Sequence, residues 1–492
     1  MRALIVSTLL ALAACATPPA PAPAPVMVEA PPAPAWTRSA PPPPAPRASV
    51  SAPPVRELTL PGGLRVVVVE HRRRPLVSVR LFFKDGAAAD PAASAGATAI
   101  AVALLGDTLD DKKKPLYEEK SARRQVAEAG ARFHFDVTAD HAWIGIDGYA
   151  RETVRYLRML DRIVRVPRCS EQIFTYRVDG ALAALEDARL SPEATFADYV
   201  SRRAFEAIPA YARSVLGTPR SLEALEYEDV QQRQRELLQP DGSTLLIVGD
   251  VKADEVLARA QALFSRWRPP LVPSARRPPR AVSKAKRRTA AAQEVALVAR
   301  SPARTTMVCA SRALAAGDGT DATLDVLARV LGNRLSQVLR EEHGLTYDAS
   351  ASVIRRRHAR MLLACSALRT EDLREGVRAF AQAVEALRTS PMEAGEVEWA
   401  KALVAAEVRA SQRELASLVQ SWTTALELGE RGATAPSSSS AVEAVTSAEV
   451  KSAVDRLFLG TPIEWALSGD PEKVGPAVRG SELGWRLMQL PQ

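Results

Sequence analysis

Hydrophobic and polar positions along this chain alternate in strand-like and helix-like periods, and the same series occurs twice. Leu60-Pro-Gly-Gly-Leu64 reads as a turn, and the run Arg65-Val-Val-Val-Val69 behind it reads as a β-branched strand; Leu76 to Phe83 predicts a second strand. Apolar residues then recur at helical spacing over Ala93 to Leu105, Glu152 to Val164, Ile173 to Ala188, Glu223 to Leu238 and Ala253 to Arg266. Strands are expected at Arg132 to Phe135, His141 to Gly148 and Thr244 to Asp250. From Trp267 to Arg288 the chain is rich in Pro, Arg and Ser, a composition no core can use, and it reads as a linker. Beyond it the order recurs, with strands near Glu294 to Val298 and Thr305 to Ala310, a helix over Thr320 to Glu341, and strands over Tyr347 to Arg355 and Arg360 to Ala367. The last strand, Thr461 to Gly469, ends Leu467-Ser-Gly-Asp470 and echoes Leu245 to Asp250. The pattern predicts an internal duplication of α+β class: two homologous α/β sandwich halves, 55–268 and 291–492, joined by a Pro/Arg-rich linker at 269–290.

The first residues change the picture of where these halves work. Arg2 is followed by an apolar run, Ala3 to Ala14, too short for a permanent membrane span and suited to a secretory leader over 1–15. The run ends Leu12-Ala-Ala-Cys15, which resembles the lipobox of bacterial lipoproteins and makes Cys15 the expected lipid attachment point. Residues 16–54 are nearly all Pro and Ala, a tether favouring extended polyproline II that stands the folded part off the membrane. Ala16 is not the aspartate that resembles an inner-membrane retention signal, so the expected location is the outer membrane, facing the periplasm.

Composition removes several alternatives. The 492 residues carry a net charge of +8, but the basic runs Arg72 to Arg74, Lys112 to Lys114, Lys284 to Arg288 and Arg355 to Arg357 are scattered and lack interleaved aromatics. They read as solvated faces, and no nucleic-acid partner is expected. No later segment has the length and apolarity of a membrane span. After Cys15 the cysteines are Cys169, Cys309 and Cys365, an odd number without metal-type spacing; one disulfide at most is possible, and buried free thiols are the expectation. A Gly-x-Ser-x-Gly elbow and a Cys/His nucleophile signature are both missing.

Four stretches together resemble the insulinase/pitrilysin family of zinc metallopeptidases, in particular members like mitochondrial processing peptidase. They are Leu60-Pro-Gly-Gly-Leu-Arg-Val66, Leu216-Gly-Thr-Pro-Arg-Ser-Leu222, Leu238 to Asp250 and Leu331-Gly-Asn-Arg-Leu-Ser-Gln-Val-Leu-Arg-Glu-Glu-His-Gly-Leu-Thr-Tyr347. The resemblance covers nearly everything from Leu58 onward and implies the family's two-half fold. It also implies an inverted His-x-x-Glu-His on the first long helix, whose two imidazoles bind zinc while the Glu serves as general base. Here Ala99, Val102 and Ala103 stand at those positions, and Ala184 stands at the third ligand's, with Glu186 offered by a shifted register. The five histidines, His71, His134, His141, His343 and His358, include no pair three or four residues apart. His71 reads as a surface residue, and His134 and His141 as satisfied residues beside a strand turn.

The second half keeps more of what the resemblance implies. In active members an Arg and a Tyr seven residues apart reach from the second half to the substrate backbone and developing oxyanion; Arg340 and Tyr347 match them. A structural reading has Arg340 ending a helix and Tyr347 beginning a core strand. The expected function is a peptidase homologue with no catalytic residue or cofactor of its own. It would pair as a heterodimer with a zinc-bearing homologue, zinc lying only in that partner, and supply Arg340 and Tyr347 to its peptide-cleaving site. The alternatives are a stand-alone lipoprotein that binds peptides or proteins, and residual metalloendopeptidase activity through other ligands.

Overall fold

Val66, Val67, Val68 and Val69 are all buried, because the strand that carries them is covered on both faces. Val66 and Val68 face a layer of helices from their own half, whereas Val67 and Val69 face a helix contributed by the other half. The computed structural model describes residues 53–107, 121–167, 169–269, 294–300, 303–314, 319–390, 392–429, 439–457 and 463–490. All of them belong to one compact unit, Val50–Gln492. Cys15, Ala16, nearly all of the tether and all of the linker but residue 269 lie outside the described residues.

The first half runs β1 (Val55–Thr59), β2 (Arg65–Glu70), β3 (Leu76–Phe83), α1 (Ala97–Leu105), α2 (Ala122–Glu128), β4 (Arg132–Val137), β5 (Ala142–Tyr149) and α3 (Thr153–Arg165). It continues with α4 (Glu171–Leu190), α5 (Pro192–Ala204), α6 (Pro219–Glu223), α7 (Tyr227–Leu237), β6 (Thr244–Gly249) and α8 (Ala253–Phe264). The second half runs β7 (Glu294–Ala299), β8 (Thr305–Leu314), α9 (Asp321–Ser336), β9 (Ala349–Arg356), β10 (Ala359–Arg369), α10 (Leu373–Thr389) and α11 (Ala394–Ser411). It closes with α12 (Leu415–Glu427), α13 (Ser439–Glu443), α14 (Ser447–Leu457), β11 (Glu464–Gly469), α15 (Pro471–Gly480) and β12 (Arg486–Gln489).

Each half holds a six-stranded sheet, in the orders β1-β2-β6-β3-β5-β4 and β12-β7-β11-β8-β10-β9. Without β1 and β12 the two five-strand series are the same, each with one parallel pair: β2 with β6, and β7 with β11. The duplication read from the sequence is therefore present as topology. Two expected helices differ in detail. The predicted helix over Glu223 to Leu238 is α7 and begins only at Tyr227: α6 ends at Glu223, and the Glu226–Asp229 capping box starts the new helix. The helix expected to reach Glu341 loosens after Ser336 into a π-helical turn, Gln337–Glu342.

The halves are joined by exchange. Helix α5 packs Phe196, Val200 and Ala204 onto the second sheet at Ala296, Val298, Met361 and Ala466. Helix α12, which follows α11 as α5 follows α4, packs Leu418, Val419, Trp422 and Leu426 onto the first sheet at Val67, Phe82, Trp143 and Val248. Each half thus caps a sheet face of the other.

Three sequence expectations are corrected here. Cys309 and Cys365 are joined by a disulfide: they are directly paired across β8 and β10, Cα to Cα 4.2 Å, so strand register brings the thiols together although 56 residues separate them. Cys169 stays free, its thiol pushed up to about 12 by burial and then by Asp107. His71 is buried, 7 % exposed, with Nε2 3.0 Å from the carbonyl oxygen of Arg413 in the second half, so its place is set by the inter-half contact. Tyr347 does not start a core strand, since β9 begins at Ala349 and Tyr347 is 94 % exposed.

Candidate functional site

Helix α1 is buried along its whole length and is held from three sides. At its start, Asp90 accepts from the Thr98 N–H at 2.9 Å and the Thr98 hydroxyl at 2.6 Å, and fully buried Arg233 of α7 donates to the same hydroxyl at 2.7 Å. Arg233 also lies 3.4 Å from Asp90, so the buried charges compensate one another, as burial demands. One turn on, Gln234 donates to the Ala101 carbonyl at 2.8 Å.

The loop 214–222 closes against the same end of α1. Ser221 donates to the Ala95 carbonyl at 2.8 Å while Thr218 and Ser221 form the capping box of α6. Gly217 has φ of +84°, and a β-carbon there would stand 2.2 Å from the Ala95 oxygen. Gly96 has φ of +97°, and its β-carbon would meet the Leu216 oxygen at 2.5 Å. The Leu216-Gly-Thr-Pro-Arg-Ser-Leu222 stretch is thus the clasp that fits this loop to α1.

Ala99 and Ala103, one turn apart on α1, face a cavity of about 380 Å3. Ala181 and Ala184 of α4 line its opposite wall, Phe135 to Val137 of β4 line a third side, and Val215 and Leu216 of the clasp close it. Ala99, Ala103 and Ala184, three of the four positions where the resemblance expects zinc chemistry, are brought together here. Val102 is fully buried and does not line the cavity. Glu186 is not in its wall either: its carboxylate is half-exposed, pairs with Arg189 at 2.8 Å and is held below its ordinary range by that hydrogen bond.

These residues do not fit a zinc ion. Methyl groups have no lone pair to donate and no proton to move. The charged side chains in the wall are Asp136 and Arg177, and Arg177 is held by two 2.7 Å bonds to Asp107, which raise its pKa. Among the described residues no group of three or more His, Cys, Asp or Glu could hold a metal ion. His134 lies 3.2 Å from Asp147, and His141 is buried at the contact between the halves. His343 lies 2.8 Å from Glu375.

Arg340 sits in the π-helical turn and is exposed, like Tyr347, and neither lines the cavity. The sequence reading missed Asp136, Arg177 and the Asp90–Thr98–Arg233 network. Local spacing does not mark Arg177 or Arg233, because their partners Asp107 and Thr98 lie 70 and 135 residues away.

With the geometry established, comparison with known proteins places the fold. The chain has the two-half fold of solved M16-type proteins. A protease from Helicobacter pylori superposes with a TM-score of 0.70 at 16% identity, covering 85% of this chain and 99% of that one. The peptidase M16 inactive domain from Pseudomonas fluorescens gives 0.66 at 18% identity, covering 85% and 98%. The first half of the periplasmic protease PqqL from Escherichia coli gives 0.69 at 12% identity, covering 90% and 100%. In sequence, residues 224–404 match the family model described as Peptidase M16 inactive domain, a stretch that runs from the end of α6 into α11. No curated protein matches the sequence.

Proposed function

We propose that this chain is a non-catalytic M16-type subunit of the cell envelope, lipid-anchored through Cys15, that pairs with a zinc-bearing homologue and supplies Arg340 and Tyr347 to its peptide-cleaving site. The observation that carries the non-catalytic part is the cavity walled by Ala99, Ala103 and Ala184, which has the volume for a metal centre but, with Asp136 as its one carboxylate and no imidazole in its wall, lacks the ligand set that zinc needs. The trans-acting part draws on the exposure of Arg340 and Tyr347, a guanidinium and a phenol free to meet a second protein. Such donors stabilise a developing oxyanion once a partner's cleft excludes water.

The test is co-expression with a homologue carrying His-x-x-Glu-His. The expected result is a complex whose peptidase rate falls at least tenfold with Arg340→Ala or Tyr347→Phe while assembly persists. An unchanged rate in both variants would refute the trans-acting role. A second reading, a stand-alone peptide-binding lipoprotein, draws on β4, which borders the cavity and is, among the described residues, the outermost strand of its sheet with one backbone edge unpaired. Peptide binding by the chain alone, with no homologous subunit co-purifying, would favour it.

A further inference from the structure

Helix α3 carries arginine at 151, 155, 158, 162 and 165, counting the turn that leads into it, and this four-three-four-three spacing sets all five on one exposed stripe. The opposite face is buried through Tyr156, Leu157, Leu160, Ile163 and Val164. Surface helices usually alternate charge sign at this spacing, since like charges three and four apart repel. Arg165 pairs with the buried Asp161, Arg151 lies 3.8 Å from Glu152, and Arg162 is engaged as well. Arg155 and Arg158 make no hydrogen bond or ion pair with a described residue.

Helix α8 packs beside α3, and a groove of about 720 Å3 between them is rimmed by Arg72, Arg151, Lys252 and Arg259. Asp250 and Glu255 also line it, Glu255 being paired with Lys252 at 2.9 Å. The exposed turn Arg72 to Arg74 adjoins it. The chain also enters the folded unit at this end: Glu70, two residues before Arg72, donates its N–H to the Pro54 carbonyl at 3.0 Å and caps α8 through the Ala253 N–H at 2.8 Å. The root of the tether and the arginine face are therefore neighbours.

We propose that the α3–α8 face docks the folded unit onto an anionic phospholipid surface, with the groove taking headgroup phosphates. This rests on the reading of Cys15 as a lipid anchor. Thirty-seven residues separate Cys15 from Pro53, so an anchored body stays within about 130 Å of the bilayer. Such tethering raises the effective concentration of lipid at the face, and weak charge attraction then suffices to hold it there. Guanidinium groups suit phosphate, which they grip through two parallel hydrogen bonds.

The experiment uses the full chain carrying Cys15→Ser, so that no lipid is attached, with vesicles of phosphatidylcholine alone or mixed with phosphatidylglycerol. Any insertion by the apolar leader is common to both vesicle types, and the difference between them reads the face. Binding to the anionic vesicles is expected in 0.1 M salt and is expected to vanish in 1 M salt. Arg155→Gln with Arg158→Gln should weaken it roughly 25-fold, about fivefold per residue, with the thermal unfolding curve unchanged. Equal binding to both vesicle types, or no loss in the double variant, would overturn the proposal. So would displacement from the vesicles by a short DNA duplex at equal charge concentration, which would assign the face to nucleic acid. Lipid labelling of the unmodified chain tests Cys15 separately: unlabelled Cys15 with intact vesicle binding removes the anchor and leaves the docking face.

Discussion

His141 of the first half accepts a hydrogen bond at Nε2 from the guanidinium of Arg357 in the second, while its Nδ1–H donates to the Phe83 carbonyl at 2.9 Å. Both ring nitrogens are thus committed, and the imidazole is held neutral. Burial, then Arg357, lowers its pKa to about 4. Beside it Asp140 accepts from the Tyr211 hydroxyl and from the Arg357 N–H at 2.8 Å, so one corner bolts the halves together.

This corner predicts a pH dependence of stability with two opposed parts. Because the folded pKa of His141 lies below its unfolded value, its contribution is complete above about pH 6.5 and is lost as pH falls toward 4, on the order of 3 kcal/mol. Glu427 of α12 has the opposite sign: burial and Asp136 raise its carboxyl to about 7 against Arg356 and Arg80, so its contribution is complete below about 4.5 and is lost as pH rises through 7. Between 4.5 and 6.5 the two slopes offset. Thermal unfolding of His141→Gln should lose the acid-side fall. Glu427→Gln should gain about 1 to 2 kcal/mol above pH 7, after discounting for partial exposure. Parallel profiles for wild type and both variants would contradict the assignment.

Restoring donors to the cavity should restore metal binding. Ala99→His, Ala103→His and Ala184→Glu together set two imidazoles one helical turn apart opposite a carboxylate, in a space of about 380 Å3. The triple variant is expected to bind one zinc ion per chain in titration calorimetry, with the parent binding none at the cavity. Failure to bind in a folded triple variant would mean that α1 and α4 are set too far apart for a shared ion.

The Cys309–Cys365 disulfide closes a loop of 56 residues and cross-links the sheet face on which α5 rests. Loop-closure entropy gives it about 4 kcal/mol. Cys309→Ala with Cys365→Ala should lower Tm by several degrees, and thiol titration of the unfolded chain should increase after reduction by two groups. No increase would mean that the thiols are free.

The exchanged helix α12 should be a principal fastening. Trp422 is 2 % exposed, against the first sheet, and Trp422→Ala is expected to cost about 3–5 kcal/mol. Trp399→Ala, on the half-exposed face of α11, should be nearly silent in the same denaturant titration.

Local pattern by itself determined the repeated order of strands and helices, because a strand such as Val66 to Val69 or a helix such as α3 is written in the spacing of its own side chains. Together with the family resemblance, which assigns positions 99, 103 and 184 to a metal site, the sequence also showed that alanine there supplies no donor. Only the tertiary structure decided that Ala184 faces Ala99 and Ala103 across one cavity while Glu186 does not. It likewise decided that Cys309 meets Cys365, that His71 is buried, and that α5 and α12 trade sheets. The physical reason is shared: each depends on register or packing between segments far apart in the chain, where the energy belongs to the contact and neither segment records it alone.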